Sequence, residues 1–182
     1  MSRQLILLFC FVFALCSCSV LQTQQHEAAA LHLLPPAQGP EAAILKQKLT
    51  LIADGVEHQF LVVLRLDKQQ IKLRVLMPGG QTLYALDYDG VDLVQDNRSD
   101  MVFPAGDILA MIQFTLWPTP SLQEHYKPDD GWHFSARVQQ RNLQYNGNKQ
   151  LRVSYLSAST VLIDHYPHQY EVRIETLEYK SL

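Results

Sequence analysis

Residues 71–88 read Ile-Lys-Leu-Arg-Val-Leu-Met-Pro-Gly-Gly-Gln-Thr-Leu-Tyr-Ala-Leu-Asp-Tyr. Ile71, Leu73, Val75 and Met77 alternate with Lys72, Arg74 and Leu76. After Pro78-Gly79-Gly80, Tyr84, Leu86 and Tyr88 alternate with Leu83, Ala85 and Asp87. A period of two sends successive side chains to opposite faces of a strand. The Pro-Gly-Gly step supplies the chemistry of a tight reversal. The stretch therefore predicts two antiparallel strands that share one apolar face.

The same pattern extends in both directions. Phe60, Val62, Leu64 and Leu66 fall on one face of a preceding strand, and Leu61, Val63 and Arg65 on the other, so this strand is expected to be covered on both sides. Downstream, candidate strands cover Trp132–Val138 and Asn142–Tyr145, and Leu151, Val153 and Tyr155 alternate with Arg152 and Ser154. Val161 and Ile163 follow, and then Tyr170, Val172, Ile174 and Thr176 alternate with Glu171, Arg173 and Glu175. Asp54-Gly55, Asp89-Gly90 and Asn146-Gly147 mark further turns, because Asn and Gly tolerate the positive φ of tight hairpins.

The alternation breaks once, at Pro104-Ala-Gly-Asp-Ile-Leu-Ala-Met-Ile-Gln-Phe114. Ile108, Leu109 and Ile112 are at helical spacing, and proline fits the first turn of a helix. Pro118 pushes Trp117 out of helical geometry and closes the segment. A second short helix is expected over Thr119–His125. The order is five strands, a helical insert and five strands. The fold class is mainly β (α+β): a curved antiparallel sheet or incomplete barrel of about ten strands with one or two short helices inserted mid-chain. Such a sheet needs a cover for its apolar face. Either it curls into a filled shell or it leaves an apolar groove partly open.

The N-terminus reads differently. Arg3 is the sole charge in the first 17 residues, and Leu5–Leu15 is an apolar run of 11 residues broken only by Cys10. This is the pattern of a secretory signal peptide, and it is too short for the about 20 apolar residues of a membrane-spanning helix. The run ends in Leu15-Cys16-Ser17-Cys18, which resembles the lipobox of bacterial lipoproteins. The resemblance implies cleavage before Cys18, diacylglycerol on its thiol and a further acyl chain on its new amino group. Cys16 is the rival acceptor, but a bulky Leu15 would then sit just before the cut. Ser19, where an inner-membrane lipoprotein usually carries Asp, implies the outer membrane. Two or three acyl chains anchor firmly where one does not. The chain holds three cysteines, Cys10, Cys16 and Cys18, so after such cleavage Cys18 alone remains. Neither a disulfide nor a cysteine-ligated metal is then expected.

The expected organisation is a signal peptide over 1–17, a lipidated tether over 18–47 and a β-shell domain over 48–182. In the tether, Gln22-Thr-Gln-Gln-His26 is polar, and Pro35-Pro36 and Gly39-Pro40 discourage regular structure. Leu31, Leu33 and Leu34 are expected to pack on the domain. Loss of Arg3 leaves 14 of the 15 basic residues against 18 acidic ones, a charge of about −4. No basic cluster stands out, which argues against nucleic acid as a partner.

Several segments together resemble a known family. They are Met77-Pro-Gly-Gly-Gln-Thr-Leu83, Leu86-Asp-Tyr-Asp-Gly90, Phe103-Pro-Ala-Gly-Asp-Ile-Leu109, Gln113-Phe-Thr-Leu-Trp-Pro118, Val161-Leu-Ile-Asp-His-Tyr166 and Tyr170–Thr176. The family comprises poorly characterised outer-membrane lipoproteins of Gram-negative bacteria, often encoded among genes for aryl polyene pigments and related lipid-like products. The resemblance covers about Lys48 to Leu177, and Leu116-Trp117-Pro118 is its most specific part. More distantly the family is similar to the periplasmic lipoprotein carrier LolA and its outer-membrane receptor LolB. Their fold is a curved, incomplete antiparallel barrel with helices closing the mouth and acyl chains inside, so the resemblance implies a LolB-like shell over 48–182. The receptor's protruding apolar loop has no clear counterpart; Met101-Val102-Phe103 is the nearest segment.

Catalytic patterns are missing from the sequence. There is no Gly-x-Ser-x-Gly elbow, phosphate loop or catalytic cysteine. His165 and His168 have metal-like spacing, but with no carboxylate motif beside them in sequence they read as two turn histidines. Asp129-Asp130 reads as a solvated loop. No enzyme activity, cofactor or metal is expected. Phe60, Val62, Leu64, Ile71, Leu73, Val75, Tyr84 and Leu86 are the candidates to line the concave face, filled by side chains or by a ligand. Trp117 and Trp132 either anchor the core or contact a lipid. The reading that combines these points is a non-catalytic outer-membrane lipoprotein that binds or transfers an acylated, lipid-like molecule or a lipoprotein in the periplasm. The alternative is a structural accessory that docks an exporter or a biosynthetic complex.

Overall fold

The computed structural model describes residues 28–99 and 104–182. Cys18 and the segment Met101–Phe103 lie outside them. Ten strands form one antiparallel sheet: β1 Ala43–Ala53, β2 Val56–Leu66, β3 Ile71–Leu76, β4 Thr82–Tyr88, β5 Leu93–Asn97, β6 Trp132–Arg137, β7 Gln140–Tyr145, β8 Asn148–Tyr155, β9 Thr160–His165 and β10 Tyr170–Ser181. Their spatial order is β5-β4-β3-β2-β1-β10-β9-β8-β7-β6. The first and last strands thus meet in the middle, paired from Ala43↔Ser181 to Ala53↔Tyr170. β5 and β6 are left as the two edges.

Two helices connect those edges: α1 Ala105–Leu116 and α2 Thr119–His125. The chain leaves one edge, crosses the concave face as helix and re-enters the sheet at the other edge. The helical insert is therefore the cover that the apolar face requires. Asp107 lies in the first turn of α1, where a carboxylate complements the helix dipole. At its other end Trp117 is extended, with ψ 148°, as a residue before proline prefers. Arg141 of β7 donates from Nη1 to the carbonyl oxygens of Phe114 (2.8 Å), Thr115 (3.2 Å) and Trp117 (2.9 Å), and the Tyr155 hydroxyl donates to Thr115 O at 2.7 Å. The carbonyls at the end of α1 are thereby satisfied by a cation from the sheet.

Hairpin chemistry follows the sequence. Asp54 and Gly55 have φ of 50° and 75°, and Asn146 and Gly147 have 47° and 79°. Two successive positive φ values are the geometry whose twist matches that of paired strands. The convex face carries cross-strand ion pairs such as Lys46–Glu178 (2.7 Å) and Lys48–Glu175 (3.2 Å). These exposed pairs keep that face wet and contribute little stability.

One expectation differs from the structure. β2 is covered on one face only: Phe60, Val62, Leu64 and Leu66 are buried, whereas Leu61 on the outer face is 37% exposed. Ahead of β1, which begins at Ala43, Leu34 is fully buried against the domain, in line with its expected packing, and Pro36 is buried in a short 3-10 turn, Pro36–Gln38. Gln113 of α1 supplies the backbone of Leu34 with both of its hydrogen bonds.

Candidate functional site

The concave face is filled at one end and hollow at the other. At the filled end, Leu64, Ile71, Leu86, Leu109, Phe114 and Trp117 are each at most 1% exposed. Trp117 donates its Nε1–H to Pro35 O at 3.3 Å and lies against Gly39, where a Cβ would come within 2.8 Å of its ring. An aromatic cluster of Phe114, Tyr126, Trp132 and Phe134 continues this core, with Phe114 and Tyr126 edge-to-face at 6.0 Å. Both tryptophans are thus core anchors.

At the other end, toward the β1–β2 and β9–β10 turns, a cavity of about 250 Å³ remains. Leu49 and Leu51 of β1, Phe60 and Val62 of β2, Leu73 and Val75 of β3, and Tyr84 of β4 form one wall. Ile163 of β9 and Tyr170, Val172 and Ile174 of β10 continue the same wall, since Ile174 and Val172 pair with Leu49 and Leu51 across the β1–β10 ladder. Ile108, Met111 and Ile112 of α1 form the roof. Leu49, Leu51, Val75, Ile108, Ile112 and Ile174 are only partly buried, although every one is apolar. Water against such a surface is unfavourable, at about 25 cal/mol per Å².

The few polar groups on the lining are already engaged. Gln47 Nε2 donates to Thr176 Oγ1 at 3.1 Å, the Tyr84 hydroxyl to Gln95 Oε1 at 3.0 Å, and the Tyr170 hydroxyl to Met111 Sδ at 3.4 Å. Burial, together with the nearby Asp107 charge, pushes the Tyr170 hydroxyl above the usual phenol range. Among the described residues no buried side-chain nitrogen or oxygen lacks a partner. Among the described residues, the lining therefore offers shape and apolar surface, with no nucleophile or acid–base pair on it. A second hollow, about 300 Å³ and on the convex face of β3–β5, is bordered by the ion pairs Arg74–Asp87 and Arg98–Asp96, whose members neutralise each other.

Of the nine residues read from the sequence as candidate lining, Phe60, Val62, Leu73, Val75 and Tyr84 border the cavity. Leu64, Ile71, Leu86 and Trp117 do not; they pack in the filled end. Period two assigns a residue to a face, but the extent of filling along each strand depends on where α1 lies. The roof residues and the wall from β9 and β10 were not read as lining, although helical spacing marked Ile108 and Ile112 and alternation marked Tyr170, Val172 and Ile174.

Three titratable groups meet at the cavity rim. They are Asp107 on α1, His165 at the end of β9 and His168 in the turn before β10, with one ligand-capable atom of each within 4.8 Å of the others. His165 is 5% exposed. Its ring stacks on those of His168 at 4.8 Å and Tyr170 at 4.7 Å, and its Nδ1 accepts the His168 backbone N–H at 3.3 Å. Burial, then the neighbouring His168, push the His165 imidazole down to about 4, so it is neutral at ordinary pH. His168 Nε2 lies 4.0 Å from Asp107 Oδ2. The sequence showed the two histidines but not the carboxylate, which the fold brings from another element.

Comparison with known proteins adds the following. The family model described as "Protein of unknown function (DUF3261)" matches residues 44–178. No curated protein matches the sequence. Among solved structures, a domain described as an outer membrane lipoprotein-sorting protein from Vibrio parahaemolyticus aligns with a TM-score of 0.42 and 10% identity, covering 78% of this chain and 85% of that one. The LolA superfamily protein NE2245 from Nitrosomonas europaea aligns with a TM-score of 0.40 and 7% identity, covering 81% and 90% of the two chains.

Proposed function

The chain belongs to the DUF3261 family, and we propose that it is a non-catalytic carrier or receptor that takes one acyl chain of a lipid-like molecule into the hollow under α1. The observation that carries this reading is the cavity of about 250 Å³ with partly exposed Leu49, Leu51, Ile108 and Ile112 on its walls and no reactive group on its lining. A closed apolar core would bring such residues together. Here they stay apart, with space between them.

The size limits the cargo. At about 30 Å³ for a water-sized group, the cavity holds roughly eight such groups. A methylene is of similar size, so the enclosed part of the hollow takes one chain end. The resemblance to lipoproteins of aryl polyene gene clusters makes a single-chain polyene or fatty acyl product the favoured cargo.

The lipobox-like Leu15–Cys18 and Ser19 support an outer-membrane address on the periplasmic face, with Cys18 as the lipidated residue. Native mass spectrometry of the full chain purified from membranes tests the carrier reading. Expected is a population carrying one extra acylated species beyond any covalent lipid on Cys18, lost when Ile112→Trp fills the cavity. Protein that never carries extra mass, from cells making the product, would overturn it.

A further inference from the structure

We propose that Asp107, His165 and His168 form a divalent transition-metal site, suited to Zn²⁺, that clamps the first turn of α1 to the β9–β10 turn at the rim of the cavity. The donor set is the first argument. Two imidazoles and one carboxylate match borderline ions, and three protein ligands with an open fourth position are a recurrent zinc arrangement. Among the described residues this is the group in which at least three His, Cys, Asp or Glu ligand atoms come together.

The geometry is the second argument. Zn–N and Zn–O bonds of about 2.0–2.2 Å in a tetrahedral arrangement place donors roughly 3.4 Å apart. Here the three ligand atoms lie within 4.8 Å, and His168 Nε2 and Asp107 Oδ2 are 4.0 Å apart. Closing that gap needs side-chain rotation and no refolding. His168 can supply it, because its side chain is 51% exposed. His165 is the fixed ligand, held by burial and by stacking on Tyr170. Its available lone pair is on Nδ1, which accepts the His168 N–H at 3.3 Å. That bond is longer than a usual N–H···O or N–H···N contact, so giving it up to a cation costs little.

Position gives the site a consequence. Asp107 adjoins Ile108, a roof residue, and Met111 lies one turn further on. Tyr170, which stacks on both histidines, forms part of the sheet wall and donates to Met111 Sδ. A cation bound here joins the roof helix to the sheet wall beside the cavity. The site itself stands whatever the cavity holds.

Full-length protein in detergent, stripped with a chelator, would be titrated with Zn²⁺ by calorimetry, and with Co²⁺ to follow its visible absorption. Expected are one Zn²⁺ per chain with micromolar or tighter affinity and an intense tetrahedral Co²⁺ spectrum. Asp107→Asn and His168→Gln should each weaken binding at least tenfold, while the exposed-histidine control His58→Gln leaves it unchanged. Circular dichroism of metal-free Asp107→Asn, a near-isosteric change, confirms that the variant folds. No stoichiometric binding by the parent protein, or equal binding by folded Asp107→Asn and His168→Gln, would overturn the proposal.

Discussion

The side-chain amide of Gln113 pairs with the backbone of Leu34 as another peptide group would: Leu34 N–H donates to Gln113 Oε1 at 2.8 Å, and Gln113 Nε2 donates to Leu34 O at 2.5 Å. Both residues are fully buried, and 79 positions separate them. The segment ahead of β1 is therefore held by the helix that roofs the sheet. Gln113→Leu keeps the volume but strands a buried N–H and a buried C=O, each costing about 1–3 kcal/mol. A loss of about 2–4 kcal/mol in urea unfolding is expected. Gln113→Glu should also destabilise, since its carboxylate replaces a donor facing the Leu34 carbonyl. Unchanged stability in both variants would refute the pairing.

Gly39 tests a second contact between this segment and the end of α1. A Cβ there would stand 2.8 Å from Trp117 Cζ2 and 3.0 Å from Cε2. The indole is 1% exposed, so it has nowhere to retreat. Gly39→Ala should cost about 1–3 kcal/mol, the usual range for overpacking. A shift in Trp117 fluorescence, measured with Trp132→Phe as background, should accompany it.

Eight of the ten strands and both helices were legible in the sequence, because their signals are local, whereas β1 and β5 were not read from their residues. Alternation in Ile71–Leu76 and Tyr170–Thr176, the Asp54-Gly55 and Asn146-Gly147 turns, and the stop at Trp117-Pro118 each act within a few residues. The site was half legible. Phe60, Val62, Leu73, Val75 and Tyr84 were assigned to the right face and border the cavity. Leu64, Ile71 and Leu86 share the signal but pack in the filled end with Trp117, since the position of α1 along the sheet is a tertiary matter. Asp107 and His165 come from different elements, and so do Leu34 and Gln113. Such pairs carry no short-range pattern.

Cys18 yields a prediction that does not depend on the cavity. Intact-mass and peptide analysis of membrane-extracted protein should find the mature N-terminus at Cys18 with diacylglycerol on its thiol. Cys18→Ser should leave protein that is uncleaved or released from the membrane fraction. An unmodified Cys18, or a mature end elsewhere, would contradict the lipobox reading.

Whether the hollow under the first half of α1 receives an acyl chain can be read by photo-crosslinking of a diazirine-bearing fatty acid added to membranes that contain the full-length protein, followed by peptide mapping. Label is expected to concentrate on residues 47–53, 105–116 and 170–174, and to be lost in Ile112→Trp. Label absent from those segments, or spread over convex-face residues such as Leu61, Leu177 and Tyr179, would contradict that reading.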